Sequence, residues 1–159
     1  GFAAEGDAVA LLAAAWAPSL TGSELAKLRG EPLEGALPAA DLGELRALHA
    51  AVRQGVRSGA LRSAHDVAEG GAAVALAECC MAGGIGARVS GLSGEDELFG
   101  EGPGAFIVSG PAEALARFGG AARVLGEVGG DRLVVDGVLD VPVAELGHVH
   151  AGGLAALLA

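Results

Sequence analysis

The sequence predicts one α/β domain, a layered fold in which a mixed sheet is covered by helices. Strand-like segments alternate with helical ones over most of the chain and then give way to a run of strands, the order expected of layered α/β folds. Hydrophobic residues are 52% of the composition and charged residues 19%, the balance of a packed globule rather than a disordered chain. A length of 159 residues accommodates one sizeable core and is short for two.

The elements follow in order. Residues 7–15, bracketed by Asp7 and Pro18, read as an apolar strand, although their alanine content equally suits a buried helix by periodicity alone. Ser23 is a good cap for a short helix carrying Glu24, Leu25 and Leu28, which Gly30 and Pro32 end. From Asp41, the residues Leu42, Leu45, Leu48, Val52 and Val56 recur every three or four positions, with Arg46, Arg53, Gln54 and Arg57 mostly opposite, and this helix stops at Ser58-Gly59. A short strand over 61–64 runs into His65-Asp66. The next helix, 72–81, is apolar on nearly every face, so it must be covered on all sides and lie at the heart of the domain; Gly83-Gly84 closes it.

Residues 86–90 and 105–109 are strand candidates on either side of the acidic, glycine-rich stretch 94–104, which is expected to be a loop with Glu95, Asp96 and Glu97 solvated. Residues 111–118 read as a helix with proline in its first turn. Gly129-Gly130-Asp131 and Asp136-Gly137 separate the β-prone runs 124–128, 133–135 and 138–141, which predicts two hairpins. Residues 142–146 and 152–158 are expected to be short helical ends.

A net charge of -10 and a pI near 4.7 repel phosphate backbones, and one tryptophan and four phenylalanines leave little to stack bases, which argues against a nucleic-acid partner. Nucleotides remain open, because magnesium and backbone amides neutralise phosphate locally. The longest nearly uncharged stretch, 70–87, is interrupted by Glu78 and studded with glycine, so no membrane span is expected. Cys79 and Cys80 are adjacent and cannot staple distant parts of the fold, which points to a reducing compartment, the cytoplasm; without a neighbouring base or cation they read as core packing. The first residues hold neither an initiating methionine nor a leader, and a piece of a longer protein is expected.

The stretch Ser63-Ala64-His65-Asp66-Val67-Ala68-Glu69-Gly70-Gly71 closely resembles the segment that opens the last domain of the phosphoribosylformylglycinamidine synthases. The likeness continues through Ala75-Leu76-Ala77-Glu78, Gly83-Gly84-Ile85-Gly86-Ala87, Leu98-Phe99-Gly100-Glu101, Phe106-Ile107-Val108-Ser109 and the segment from Gly126 to Leu133, and it reaches back to Gly22-Ser23-Glu24. The wider superfamily includes aminoimidazole ribonucleotide synthetase, selenophosphate synthetase and thiamine-monophosphate kinase.

This resemblance implies a fold like the C-terminal domain of aminoimidazole ribonucleotide synthetase, set in a large enzyme with two tandem copies of a paired-domain unit. Such an enzyme converts formylglycinamide ribonucleotide, ATP and glutamine-derived ammonia into formylglycinamidine ribonucleotide. ATP phosphorylates the substrate's amide oxygen, and ammonia displaces the phosphate while magnesium and fixed dipoles carry the developing charge. The implied cofactors are ATP and Mg2+, and the implied partners are the preceding domains, a glutaminase subunit and a small accessory subunit. The family's catalytic histidine, most metal ligands and the residues assigned to ATP lie in the preceding domains and have no counterpart here, so no catalytic residue is expected.

The remaining candidate is an auxiliary nucleotide-phosphate site made by His65, Asp66, Gly70, Gly71 and Glu101. Strand hands over to helix at this turn, so free amides would face a phosphate and Asp66 would hold magnesium. The competing reading is a capping box, in which Asp66 caps the helix and Glu69 reaches back. At Gly100-Glu101-Gly102-Pro103-Gly104, family members commonly carry serine, glutamate, serine and glutamine; only Glu101 keeps its identity, which reads as a site in decay. As a dinucleotide fingerprint the glycine run fails, because a strand follows it. His148 and His150 lack a third ligand at metal spacing and read as a solvated turn, and Trp16 and the phenylalanines read as core. Two roles therefore compete, a scaffold with an auxiliary nucleotide site and an interaction module without a ligand. A domain of this kind is also expected to leave an apolar sheet face or edge open and to self-associate.

Overall fold

The computed structural model describes residues 1–14, 16–32, 34–36 and 39–158, the side chains of 154–158 aside. In the interior of its seven-stranded sheet is β1 (Ala8–Ala13), almost wholly buried because both faces of an apolar run are covered. The expected end of this strand, Ala15, lies outside the described residues. β1 pairs antiparallel with β4 (Ala105–Gly110) on one side and β5 (Ala122–Val128) on the other. β2 (Ser63–Asp66) lies outside β4, and β3 (Ala87–Val89), β6 (Arg132–Val135) and β7 (Leu139–Pro142) continue beyond β5, giving the order β2-β4-β1-β5-β3-β6-β7. All pairings are antiparallel except β3 with β6, so the sheet is mixed, as expected.

Helices cover both faces. The first layer is α2 (Leu42–Ser58), capped by Asp41 Oδ1 at 2.8 and 3.0 Å from the Gly43 and Glu44 amides, together with α5 (Ala112–Leu115). Leu48 and Val52 of α2 pack with Leu115 on Ala8, Ala10, Leu12 and Val108. The stripe runs off the core at its ends, where Leu42 and Val56 are exposed. The opposite layer is α3 (Gly71–Gly83), whose Ala72, Leu76, Cys79 and Cys80 are fully buried against Val9, Leu11 and Ile107. The expected cover on all sides is only partly met: Val74, Ala82 and Gly83 are exposed and Ala77, Glu78 and Met81 half-buried, because the helix lies on the sheet with one side outward. α6 (Val143–Leu158) adds Val143 and Leu146 to the same cluster. Before α2 comes the six-residue α1 (Glu24–Arg29), capped by Ser23 and closed by Gly30 with φ 70°.

Four expectations are corrected. Residues 94–104 are not all loop: Gly94–Phe99 is a helix, α4, with three acids in its first turn, where the helix dipole favours them, and Leu98 buried. Its acids are paired as well as solvated. Glu95 takes both guanidinium nitrogens of Arg29 at 2.8 and 2.6 Å, and Glu97 accepts from the Ser93 amide at 2.9 Å and from Arg123 at 2.8 Å. β5 and β6 do not form a hairpin, because β3 lies between them; only β6 and β7 do. Gly86 allows the insertion, since a Cβ there would overlap the Arg132 carbonyl oxygen. The proposed helical ends are one continuous helix, α6, and Ala116–Ala121 continues α5 as a 3-10 turn.

Hydrogen bonds to the ionised carboxylates hold both Glu95 and Glu97 below the usual carboxylate range, through Arg29 for Glu95 and through the Ser93 amide first, then Arg123, for Glu97. A folded-state value below the unfolded one gives stability that is complete above the unfolded value of about 4.3 and lost as pH falls through the folded value. Glu97→Gln is therefore expected to lower the melting temperature at neutral pH but to shrink its drop under acid. Thermal melts between neutral pH and pH ~3 check this, and parallel curves for the two proteins would refute it.

The expected apolar open face is also corrected. On the half of the α2-side face beyond β1, the exposed residues include Val124, Arg88, Glu127, Arg132 and Asp140, with Arg88 paired to Asp136 at 2.6 Å and Arg132 to Asp140 at 2.5 Å. The exposed large apolar side chains, Leu28, Leu42, Val56, Val74, Val124, Val138 and Val149, are spread over helices, a strand and a turn rather than gathered on the sheet.

Candidate functional site

β2 and the turn after it carry the candidate residues. Because side chains alternate along a strand, consecutive residues His65 and Asp66 point to opposite faces. His65, paired across from Ile107, turns to α3, where its Nε2 lies 3.3 Å from Glu78 Oε2; its Nδ1 is 2.8 Å from the Asp66 carbonyl oxygen. Asp66, paired across from Phe106, faces a cleft of about 460 Å³ beside α2. Leu45, His49, Glu69, Glu101, Gly104 and Phe106 are among the residues lining that cleft, and His65, Gly70 and Gly71 are not. Of the expected quintet, Asp66 and Glu101 line the cleft, while His65 stays 3.8 Å from Asp66 and Gly70 donates to Glu101 from behind it.

The turn between β2 and α3 is glycine for a geometric reason. Gly70 and Gly71 both have positive φ, 80° and 72°, and a Cβ on Gly71 would sit 2.7 Å from the Leu98 carbonyl oxygen of α4. Gly70 is the N-cap of α3 and makes no side-chain cap. Asp66 ends a strand and does not cap the helix; the four residues between it and Gly71 form the turn, so the capping-box reading is corrected. Glu101 supplies the missing partner. Its Oε1 accepts from the Gly70 amide at 2.8 Å and from the Glu24 amide, the first of α1, also at 2.8 Å. The Gly71 amide donates to the Ala68 carbonyl at 3.1 Å. Both amides expected to meet a phosphate are therefore held within the protein.

The electrostatics are equally directional. Asp66, Glu69 and Glu101 line one cleft, and neither arginine nor lysine does. Oxygen ligands of this kind suit a hydrated magnesium ion, which needs only one or two protein carboxylates. Among the described residues no group of three or more histidine, cysteine or acidic side chains is arranged to hold a metal. A phosphate does not fit the turn while Glu101 occupies the Gly70 amide.

The glycines of the 100–104 loop have a structural cause. A Cβ on Gly100 would come within 3.0 Å of Pro18 Cβ and the Ser19 nitrogen, and one on Gly102 would lie 3.2 Å from the Ala17 carbonyl oxygen. Segment 17–19 runs along the loop, and Ser19 and Glu101 exchange backbone hydrogen bonds of 3.1 and 2.9 Å. His49 is the lining residue that sequence reasoning missed; its ring meets Phe106 edge-on, 5.3 Å between centroids. The available signal was its place one turn after Leu45 on α2, among positions read only for apolar character.

Comparison with known proteins decides the family. The pattern of the AIR synthase related protein, C-terminal domain, matches residues 4–138. The chain belongs to this family. The PurL subunit of phosphoribosylformylglycinamidine synthase from Anaeromyxobacter sp. (strain Fw109-5) is 40% identical to it across 96% of the chain, and that from Frankia casuarinae 38% across 99%. In both cases the chain spans 22% of the relative's own length. Among solved structures, T. maritima PurL complexed with FGAR superposes with a TM-score of 0.70 at 20% identity, over 91% of this chain and 28% of that one. The hydrogenase maturation protein HypE gives 0.55 at 20% identity, over 84% and 50%. These structures show the shared fold, which is the mixed sheet and helix layers described above.

The other candidates of this family domain fall to structure. Burial pushes the Cys79 thiol up to about 11 and the Cys80 thiol to about 12, so neither is a nucleophile at neutral pH. His148 and His150 are exposed on α6 rather than in a turn. Trp16 is partly buried against the α3-side cluster, as expected of a core residue. No helix among the described residues is long and apolar enough to cross a membrane.

Proposed function

We propose that this domain is the C-terminal part of a phosphoribosylformylglycinamidine synthase, acting in the cytoplasm in the ATP- and magnesium-dependent conversion of formylglycinamide ribonucleotide to its amidine. Its part is to frame an active site that other domains of the enzyme build. The observation that carries this reading is the 40% identity to a PurL subunit along nearly the whole chain. The scaffold role rests on the site itself: the candidate amides are taken by Glu101 and Ala68, and the cleft has carboxylates but no cation to receive a phosphate. The same fold occurs in T. maritima PurL complexed with ATP and in T. maritima PurLQS, which favours placing the domain in an assembly with preceding domains, a glutaminase subunit and a small accessory subunit.

A second reading keeps an auxiliary nucleotide site at His65, Asp66, Gly70, Gly71 and Glu101. The presence of Asp66, Glu69 and Glu101 along one cleft favours it: they are not grouped to hold a metal by themselves, but one or two carboxylates suffice for magnesium carried in with the nucleotide. Any such ligand has to displace Glu101 from Gly70 and lacks a closing partner domain, so its dissociation constant is expected to be no better than about a millimolar.

One set of measurements tests both readings. The purified chain, given formylglycinamide ribonucleotide, ATP, magnesium and ammonia, is expected to form no amidine. Turnover that survives rigorous purification and is lost on Asp66→Ala would overturn the scaffold role. In a magnesium-ADP titration followed by amide shifts, movement at Gly70, Gly71 and Glu101 supports the auxiliary site, and none there removes it.

A further inference from the structure

We infer that residues 17–31 form a strap latched onto the 100–104 loop by Glu101, and that this strap opens as a unit while the sheet stays closed. The inference rests on how little else orders the segment. α1 is six residues long, well below the length at which a helix persists without tertiary support. Within it only Ala26 is buried, and Leu28 is 84% exposed, so apolar packing holds it weakly. The Ser23 cap, 3.2 Å from the Ala26 amide, and the Gly30 closure are internal to the strap and tie it to nothing else.

The tethers to the rest of the domain are polar and few. Arg29 pairs with Glu95 of α4, but both side chains are about half exposed, where such pairs contribute little. The Ser19 bridge to Glu101 is one pair of backbone bonds. Glu101 adds the charge-assisted contact: one carboxylate oxygen receives the first amide of α1 and the N-cap amide of α3, joining strap, loop and turn at one atom. Gly100 and Gly102 complete the seat, since a Cβ on Gly102 would press on the Ala17 carbonyl and one on Gly100 would overlap the Asp96 carbonyl oxygen and crowd Pro18 and Ser19. Strap release therefore frees the Glu101 carboxylate on the cleft wall, while Gly104 stays held by the Ala14 amide at 3.0 Å. Local openings of this kind are drawn from regions with few buried apolar contacts.

Hydrogen–deuterium exchange on the 159-residue chain tests the latch. Glu101→Ala is expected to speed exchange about tenfold at the amides of 24–31 and at Gly70, with β1 and β4 within about twofold of wild type. Glu101→Gln keeps an acceptor oxygen at the same reach and is expected to retain most of the protection. Unchanged exchange over 24–31 in Glu101→Ala would overturn the inference, as would a rise of equal size in β1 and β4, which reports global destabilisation. Should Glu101→Ala fail to fold, Glu101→Asp provides the second arm: the side chain, shorter by one methylene, no longer reaches both amides, and faster exchange confined to 24–31 and Gly70 supports the inference while exchange like wild type overturns it.

Discussion

Gly126→Ala is expected to cost about 4 kcal/mol or to prevent folding, the range reserved for changes that break the frame of a protein. Gly126 lies in β5 beside the register shift on β1, and a Cβ added to it would overlap the Arg88 carbonyl oxygen and lie 2.9 Å from the Val89 Cα. Both atoms are backbone of β3, so no rotamer relieves the clash; the two strands must part. The damage extends past one pair, because β3 also carries β6 and, through it, β7. Urea melts check this, with Gly120→Ala as the control, since nothing lies within 4 Å of a Cβ there. Gly147→Ala, equally unobstructed and inside α6, is expected to move the other way by roughly 0.5 to 1 kcal/mol, through helix propensity. Equal stability of Gly126→Ala and wild type would mean that β3 and β5 do not approach as described.

Arg62→Ala is expected to be the next most damaging change, at about 3 kcal/mol. The Asp7 side chain is 2% exposed, one of its oxygens has no hydrogen-bond partner among the described residues, and the other is held by Arg62. Removing the guanidinium strands a carboxylate in the interior, which costs more than the pair itself contributes. Because Arg62 is itself 46% exposed, water can follow into the vacated space, which places the figure at the lower end of the usual range. A double-mutant cycle with Asp7→Asn separates the two effects. Destabilisation by Arg62→Ala should fall by more than half when Asp7 is already neutral, and a cycle that closes additively would show that the charge is not what matters.

Legibility from sequence followed the range of the interactions. The Ser23 cap and the Gly59 terminus are set by residues within a turn of one another, and both were readable, whereas Asp41 was read only as the start of α2 and not as its cap. β1 and α3 were readable as buried because each is a largely apolar run, but such a run does not by itself distinguish strand from helix, and for 7–15 both stayed open. The missed features depend on distant residues. α4 is held by Arg29 and Arg123, both far along the chain, and its glycine and acids alone look like a loop. The β5–β6 turn has hairpin chemistry, yet β3 occupies the place its partner would take. At the candidate site, the pleat of β2 sends His65 towards Glu78 of α3 and Asp66 towards the cleft, although His65 Nδ1 remains 3.8 Å from Asp66 Oδ1. The Gly70-Gly71 turn was correctly placed, but its partner, Glu101, comes thirty-one residues later, and nothing local announces that its carboxylate takes the amide.

The position of β1 also constrains the order of events during synthesis. Of the strands of this domain the first to be made is an interior one, and its two neighbours are β4, which ends at Gly110, and β5, which ends at Val128. While most of the domain is being made, β1 has no ladder to join. The connections it awaits are non-local, and such pairings form slowly because a long loop has to close before any contact rewards it. β3 waits likewise, emerging before both of the strands that flank it. Val9, Leu11 and Leu12 thus stay without strand partners until synthesis has passed β4 and reached Val128, an interval in which an apolar segment is open to misassociation.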